Sequence, residues 1–344
     1  MKQEANIYEI AKEAGVSIAT VSRVINNHPS VSTESRKKVN DVIARRNYVP
    51  NSNARSLSTS KSTTVGVVIP DISNPFFSQL LQGITRVADE QGFHVVLFNT
   101  DEDTQREHQI LLSMREQRLR GIIATPVAES DSVTIERLTE FEGLGIPVVL
   151  LDRQVKNASF DRVLTNDEHG VFLAVSELIR IGHKRIAIIT GPEDSLPGRE
   201  RLAGYVHALT ASGLSLIPEL IRDGNFMSKR AYQETMAVMS LPSPPTAIFS
   251  SNNMTTFGCL RAFNELGLRV GIDISLIGFD DIDALLWLGY KLSVVNRAVP
   301  EMGEQAMRML LHRFEEENGQ ATGKTMFFPT ELILRGSERY AGTL

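Results

Sequence analysis

Several short apolar runs in this 344-residue sequence end on, or lead into, a side chain able to hold a polar ligand. Asp152 and Arg153 follow PVVLL, Arg199 comes after IITGP, Phe226 after IRDG, Asn252 after IFSS, Asp280 after IGF and Arg297 after SVVN. Upstream, VVIP leads into DISNPFF, which supplies Asn74, Phe76 and Phe77. Fixed carboxylates, guanidinia and amides bond hydroxyl groups, and aromatic faces pack on the C–H surface of a sugar ring. Together these types fit a carbohydrate pocket, although adjacent phenylalanines such as Phe76 and Phe77 are equally at home in a core. No nucleophile–base pair or cofactor loop accompanies them, which argues against an enzyme.

The elements that would position these residues alternate. Runs such as TVGVVIP, FHVVLFNT, GIIATPV and PVVLLDR are separated by amphipathic stretches, and a second set begins at RVLTND and ends at ISLIGFDD. Short apolar strands alternating with helices imply parallel sheets covered on both faces. The fold class expected is α/β, with two doubly wound parallel-sheet subdomains spanning 64–162 with 292–323 and 163–291 with 324–344. In such sheets ligands sit at the carboxyl ends of the strands, which is where the polar residues above occur.

The first sixty residues differ. Residues 1–62 carry ten Lys or Arg and five Asp or Glu, whereas the remainder carries 26 and 36, so a basic module precedes an acidic body. Asn6 and Glu9 have capping-box spacing ahead of IYEIAKEA, and Gly15 suits the end of that helix. Ser17 can cap a second helix, SIATVSRVIN, with Val21, Val24 and Ile25 inward and Ala19, Ser22, Arg23 and Asn26 on an outward face. Ser32 can cap a third. This is an all-α helix-turn-helix over residues 1–49, and geometry alone also allows a plain three-helix bundle with a solvated face. Positive charge favours DNA, because phosphate contacts supply most of the affinity and base contacts select the sequence.

IYEIAKEAGVSIATVSRVIN, SRKKV and NYVPN resemble the DNA-binding module of the LacI/GalR family of bacterial transcription regulators, and the body resembles that family's effector domain and the ribose-type periplasmic sugar-binding proteins. The resemblance covers nearly the full length. It implies DNA contacts from Ser17, Ile18, Ala19, Thr20, Ser22, Arg23 and Asn26, with Arg23 approaching a guanine. It also implies a hinge over 50–63, in which Ala54 packs on a second subunit and Leu57 wedges into the minor groove. Six residues are too few to hold a helix alone, so NARSLS is expected to order only with DNA and a partner chain. By the same resemblance Asn74, Phe76, Phe77, Asp152, Arg153, Arg199, Phe226, Asn252, Asp280 and Arg297 are sugar contacts.

Two positions depart from the family pattern: Asn252-Asn253 lacks an acid, and Arg297 stands where Gln is common. Asp152 and Asp280 then face Arg153, Arg199 and Arg297, an excess of one cation, which points to a sugar acid or sugar phosphate. If Arg297 instead pairs with Asp280, the effector is a neutral sugar.

The function expected is a sequence-specific repressor: a cytoplasmic homodimer on a near-palindromic operator, under allosteric control by a sugar, sugar phosphate or sugar acid and needing no cofactor or metal. The alternatives are control by a phosphocarrier protein or a corepressor, and a non-regulatory sugar-binding protein. The charged N-terminus has no export signal, no apolar run is long enough to span a membrane, and the single Cys259 excludes an internal disulfide framework. GQATGKT has one residue too few between its glycines for a phosphate-binding loop and follows a helix. Asp280, Asp281 and Asp283 are too close in sequence to share one site, His183 reads as structural, and Trp287 reads as packing near the cleft.

Overall fold

The computed structural model describes residues 6–25, 28–46, 48, 62–316 and 323–339. The chain divides into two compact units, the first ending at Ser62 and the second beginning at Thr63.

In the first unit α1 (Ile7–Ala14), α2 (Ile18–Ile25) and α3 (Thr33–Arg46) enclose Ile10, Ala11, Ala14, Val21, Val24, Val39 and Val42. Asn6 Oδ1 accepts from Glu9 N at 3.0 Å, Ser17 Oγ from Thr20 N at 3.1 Å and Ser32 Oγ from Ser35 N at 3.2 Å, so all three expected caps form. Gly15 closes α1 in the left-handed region at φ 66°, where a side chain would be strained, and this turn sets the angle between the first two helices.

The second unit contains two six-stranded sheets of the same order. The first half runs β1 (Thr64–Ile69), α4 (Pro75–Glu90), β2 (His94–Asn99), α5 (Thr104–Met114), β3 (Gly121–Ala124), α6 (Ser132–Gly143), β4 (Val148–Leu151) and β5 (Asp161–Thr165). The second runs α7 (Asp167–Ile181), β6 (Ile186–Thr190), α8 (Leu196–Ala211), β7 (Ile221–Asp223), α9 (Ser228–Met239), β8 (Ala247–Ser250), α10 (Asn253–Leu266), β9 (Ser275–Phe279), α11 (Asp283–Trp287) and β10 (Ser293–Arg297). The chain closes with α12 (Val299–Glu315), β11 (Thr325–Phe328) and β12 (Thr330–Ile333). The sheets are ordered β11-β5-β4-β3-β1-β2 and β12-β10-β9-β8-β6-β7, parallel throughout except for β12 against β10.

Strand side chains alternate between two cores, as the pleat requires. Val65, Val67 and Ile69 join Leu80, Met302 and Met307 on one face, while Val68, Ile122 and Leu150 join Leu111, Leu138 and Phe141 on the other. In the second sheet Ile186 and Ile188 pack with Val171 and Tyr205, and Ala187 and Ile189 with Ala231 and Cys259. Both faces are therefore covered, which is why the strands read as continuous apolar runs.

Sheet membership departs from the expected boundaries in three places. β5 pairs with β4 and belongs to the first sheet, β10 pairs with β9 and belongs to the second, and β11 returns to the first beside β5. The chain thus crosses after β5, after β10 and again at Pro329. An apolar run identifies a strand, but its neighbours are chosen by long-range pairing that local pattern does not encode.

Candidate functional site

Seven non-glycine residues among those described have positive φ, and six of them lie in loops at strand carboxyl ends: Asp101 and Glu102 after β2, Asp152 after β4, Asn225 and Phe226 after β7, and Asp280 after β9. Such backbone costs roughly 1 kcal/mol per residue or more and persists where surrounding contacts over-determine it. At Asp152, φ 65°, the N–H still reaches Val163 O at 2.9 Å, and at Asp280, φ 66°, it reaches Val295 O at 2.8 Å. Each turn keeps the backbone on the next strand. Asn253 steadies the second turn: with its amide nitrogen turned toward them, it donates to Phe279 O at 3.1 Å and Asp280 O at 3.0 Å. The acid missing at this position could not make those bonds.

Arg297 is the hub of a buried ion network. Its Nε donates to Asp280 Oδ1 at 2.7 Å and its Nη2 to Asp280 Oδ2 at 3.0 Å, while Nη1 donates to Asp152 Oδ1 at 2.7 Å and Thr165 Oγ1 at 2.8 Å. Its guanidinium lies 4.2 Å from the centre of the Phe76 ring. Arg201 donates from Nε to Asp167 Oδ2 at 2.8 Å and from Nη1 to Ser251 O, and stacks 3.6 Å from the centre of Phe279. Burial alone would lower the Arg297 pKa, but Asp280, Asp152 and Asp167 hold it above its usual range. Burial alone would raise the Asp167 carboxyl, but Arg201 and Arg297 hold it below the usual carboxylate range.

Arg153 has its own partner. It donates to Glu102 through two parallel bonds of 2.8 and 2.6 Å, and to the carbonyls of Pro126 and Val127 at 3.3 and 3.2 Å. Arg153 and Arg201 lie 5.5 and 5.6 Å from the centre of the Phe226 ring, which rests on the backbone of Gly191 so closely that a Cβ there would stand 2.1 Å from a ring carbon.

The structure therefore brings together Phe76, Asp152, Arg153, Phe226, Asp280 and Arg297 of the expected set. Asn74 is a buried N-cap, accepting from Phe76 N at 3.1 Å. Phe77 sits edge-on to Phe76, 5.0 Å between centres, within the same core. Asn252 caps α10 and donates from Nδ2 to Phe226 O at 3.4 Å.

Arg199 stands apart: its side chain is 42% exposed and paired with Glu129. The buried guanidinium of α8 is Arg201, two residues on. Helical periodicity distinguishes the two: Arg201, Gly204, Tyr205 and Ala208 form the inward stripe of that helix at i, i+3, i+4 and i+7, and Arg199 falls off it. Asp167, Glu102 and Thr165, outside the expected set, join the cluster through Arg201, Arg153 and Arg297. With Arg199 outside and Arg297 paired to Asp280, the expected excess of cations disappears: Arg153, Arg201 and Arg297 face Glu102, Asp152, Asp167 and Asp280. Trp287 is 82% exposed and is not a packing residue near the cleft. His183 is buried between Thr246 Oγ1 at 2.8 Å and Ser275 Oγ at 3.0 Å, a structural role. A separate cavity of about 600 Å³ is lined by Leu260, Phe263, Tyr290 and Lys291, none of them in the ion network.

In the first unit Ser17, Ile18, Ala19 and Arg23 are exposed, and Thr20 and Ser22 are half-buried. Ile18, 41% exposed, is an apolar side chain without a core role. Asn26, Ala54 and Leu57 lie outside the described residues.

Residues 62–331 match the family model described as periplasmic binding proteins and sugar binding domain of LacI family, and residues 6–51 match that of bacterial regulatory proteins, lacI family. Catabolite control protein A of Priestia megaterium is 35% identical over 312 residues, covering 90% of this chain and 93% of that protein. The ribose operon repressor of Escherichia coli K12 is 33% identical over 312 residues, covering 91% and 94%. Among solved structures, the lac repressor dimer bound to operator and the anti-inducer ONPF aligns with a TM-score of 0.83 and 29% identity over 98% of this chain and 100% of that one. The chain belongs to the LacI family of bacterial regulatory proteins. It is a DNA-binding transcription regulator of the repressor type, with a helix-turn-helix unit and a sugar-binding effector unit, and not an enzyme. Among the described residues no helix is long and apolar enough to cross a membrane.

Proposed function

We propose that this repressor binds its operator as a homodimer and is controlled by an uncharged sugar held at the strand ends of the second unit. Phe76 and Phe226 offer ring faces to the sugar, while Asp152, Arg153, Arg201, Asp280 and Arg297 bond its hydroxyls. Asn74, Phe77 and Asn252 support these groups from behind. One observation carries the charge class: each buried guanidinium of the cluster is already matched to a carboxylate, Arg153 to Glu102, Arg201 to Asp167 and Arg297 to Asp280 and Asp152. A sugar phosphate or acid would meet a cluster with one negative charge to spare, and burying an unmatched charge is costly. The name of the ribose operon repressor makes a pentose the first candidate.

Occupancy of the cluster would bias the orientation of the two halves, and the hinge would report it to the operator, so sugar and operator affinities are coupled reciprocally. On the DNA, Ile18 and Ala19 would read apolar edges such as a thymine methyl and Arg23 a guanine, while Leu57, with Ala54 packed beside it, would kink the centre. Calorimetric titration of D-ribose, D-glucose, ribose 5-phosphate and gluconate, followed by operator selection with and without the binder, tests the reading. Binding of only the anionic sugars overturns it. Leu57→Ala should weaken specific operator binding strongly with sugar affinity unchanged; normal operator affinity in that variant removes the wedge role.

A further inference from the structure

Strained backbone marks matching positions in the two halves of the second unit. Asp152 after β4 corresponds to Asp280 after β9, and Asp101-Glu102 after β2 corresponds to Asn225-Phe226 after β7, all at positive φ. Three of these residues, Asp152, Phe226 and Asp280, carry side chains of the candidate site, and Glu102 is the matching fourth. It is firmly placed. Its N–H donates to Pro70 O at 3.0 Å, the neighbouring Asp103 caps α5 through Gln105 N and Arg106 N, and its side chain is 10% exposed. Both carboxylate oxygens are spent on one guanidinium, that of Arg153, whose side chain is 4% exposed.

We infer that Glu102 is a positioning and specificity-determining residue: it holds Arg153 in place over Phe226 and cancels its charge, so that the site admits uncharged sugars and rejects anionic ones. The inference rests on the sugar reading above. Arg297 is held by Asp280, by Asp152 and, at 3.8 Å, by Asp167, whereas the two-bond partner of Arg153 is Glu102 alone among the described residues. Asp152 and Glu107 still act on Arg153, but without Glu102 it loses its two-bond partner and the cluster loses its one surplus negative charge. An anionic sugar is then no longer opposed and can take the vacated place.

The test compares the full-length protein with Glu102→Gln, and with Glu234→Gln as a control that removes a charge from a pair with Arg222 outside the site. Each is titrated with D-ribose and D-glucose beside ribose 5-phosphate and gluconate, at constant ionic strength. The expected result is that the ratio of anionic to neutral affinity rises at least about tenfold in Glu102→Gln, as when one member of a buried charge pair is removed, with no change in the control. Glu102→Asp retains the charge but withdraws it by a methylene; it should weaken the neutral sugar without admitting the anions, and it serves as the second variant if Glu102→Gln does not fold. An unchanged ratio in Glu102→Gln, or anion binding by Glu102→Asp, overturns the role of Glu102 while leaving the sugar reading intact. A wild-type protein that prefers the anionic sugars, or binds none of the four, overturns the sugar reading and this inference with it.

Discussion

The two halves of the second unit use one topology to make unlike contributions. Their sheets have the same strand order, and their strained loops fall at the same places. At the loop after the second strand of each half, however, the first presents Glu102 and the second Phe226; after the first strand, Pro70 stands where the second half has Gly191. Pro70 lends its carbonyl to Glu102 N, and Gly191 lends open space to the Phe226 ring. At the fourth residue of the helix after that loop, Glu107 is buried in the first half and Ala231 in the second. Topology therefore fixes where a side chain can reach the cleft, and residue type alone decides whether it brings charge, an aromatic face or nothing.

The matched aspartates give the largest expected effect. Asp280 holds Arg297 by two bonds and Asp152 by one. Asp280→Ala should destabilise by about 3–5 kcal/mol, the usual cost of breaking a buried pair, and Asp152→Ala by clearly less, in urea unfolding. Equal losses would erase the difference between the halves.

Next comes Glu107, which accepts from Val127 N at 3.1 Å and Thr134 Oγ1 at 2.8 Å. Burial raises its pKa from 4.5 to about 7. A carboxyl raised on folding stabilises the protein fully below its unfolded pKa, and that contribution is lost as pH rises through the folded value. Stability should therefore fall between pH 4.5 and about 7 by up to roughly 3 kcal/mol from this group, and Glu107→Gln should flatten that slope. An unaltered pH profile in the variant would remove the acid as a distinguishing feature of the first half.

Gly191→Ala is a smaller perturbation aimed at the second half. The added methyl would displace Phe226, and overpacking of this kind costs about 1–3 kcal/mol, so sugar affinity should drop by tenfold or more in calorimetry. Unchanged affinity would show that the ring is not a sugar platform. Smallest of all, Glu13→Gln removes an exposed pair with Arg46 in the first unit and should shift unfolding by less than about 1 kcal/mol.

Much of the candidate site was legible in the sequence because strand carboxyl ends are local features: Asp152, Arg153, Asp280 and Arg297 each stand at or just past the end of an apolar run, and Phe226 follows the short strand β7. Arg201 lies on the inward stripe of α8, but Arg199 is the first guanidinium after the strand and masks it. Asp167 and Glu102 also lie just past β5 and β2, but position alone does not set them apart from their neighbours in those loops. Their importance comes from partners 34 and 51 residues away.

By itself the sequence determined the helix caps, the alternation of strand and helix, the division into a basic three-helix unit and an acidic α/β body, and the residues that end each strand. These depend on side chains within a few positions of one another. Only the tertiary structure decided which sheet receives β5, β10 and β11, and that Arg297 meets Asp152 across 145 residues of chain. Pairing at that separation is set by how whole sheets pack, and with it the charge balance of the candidate site.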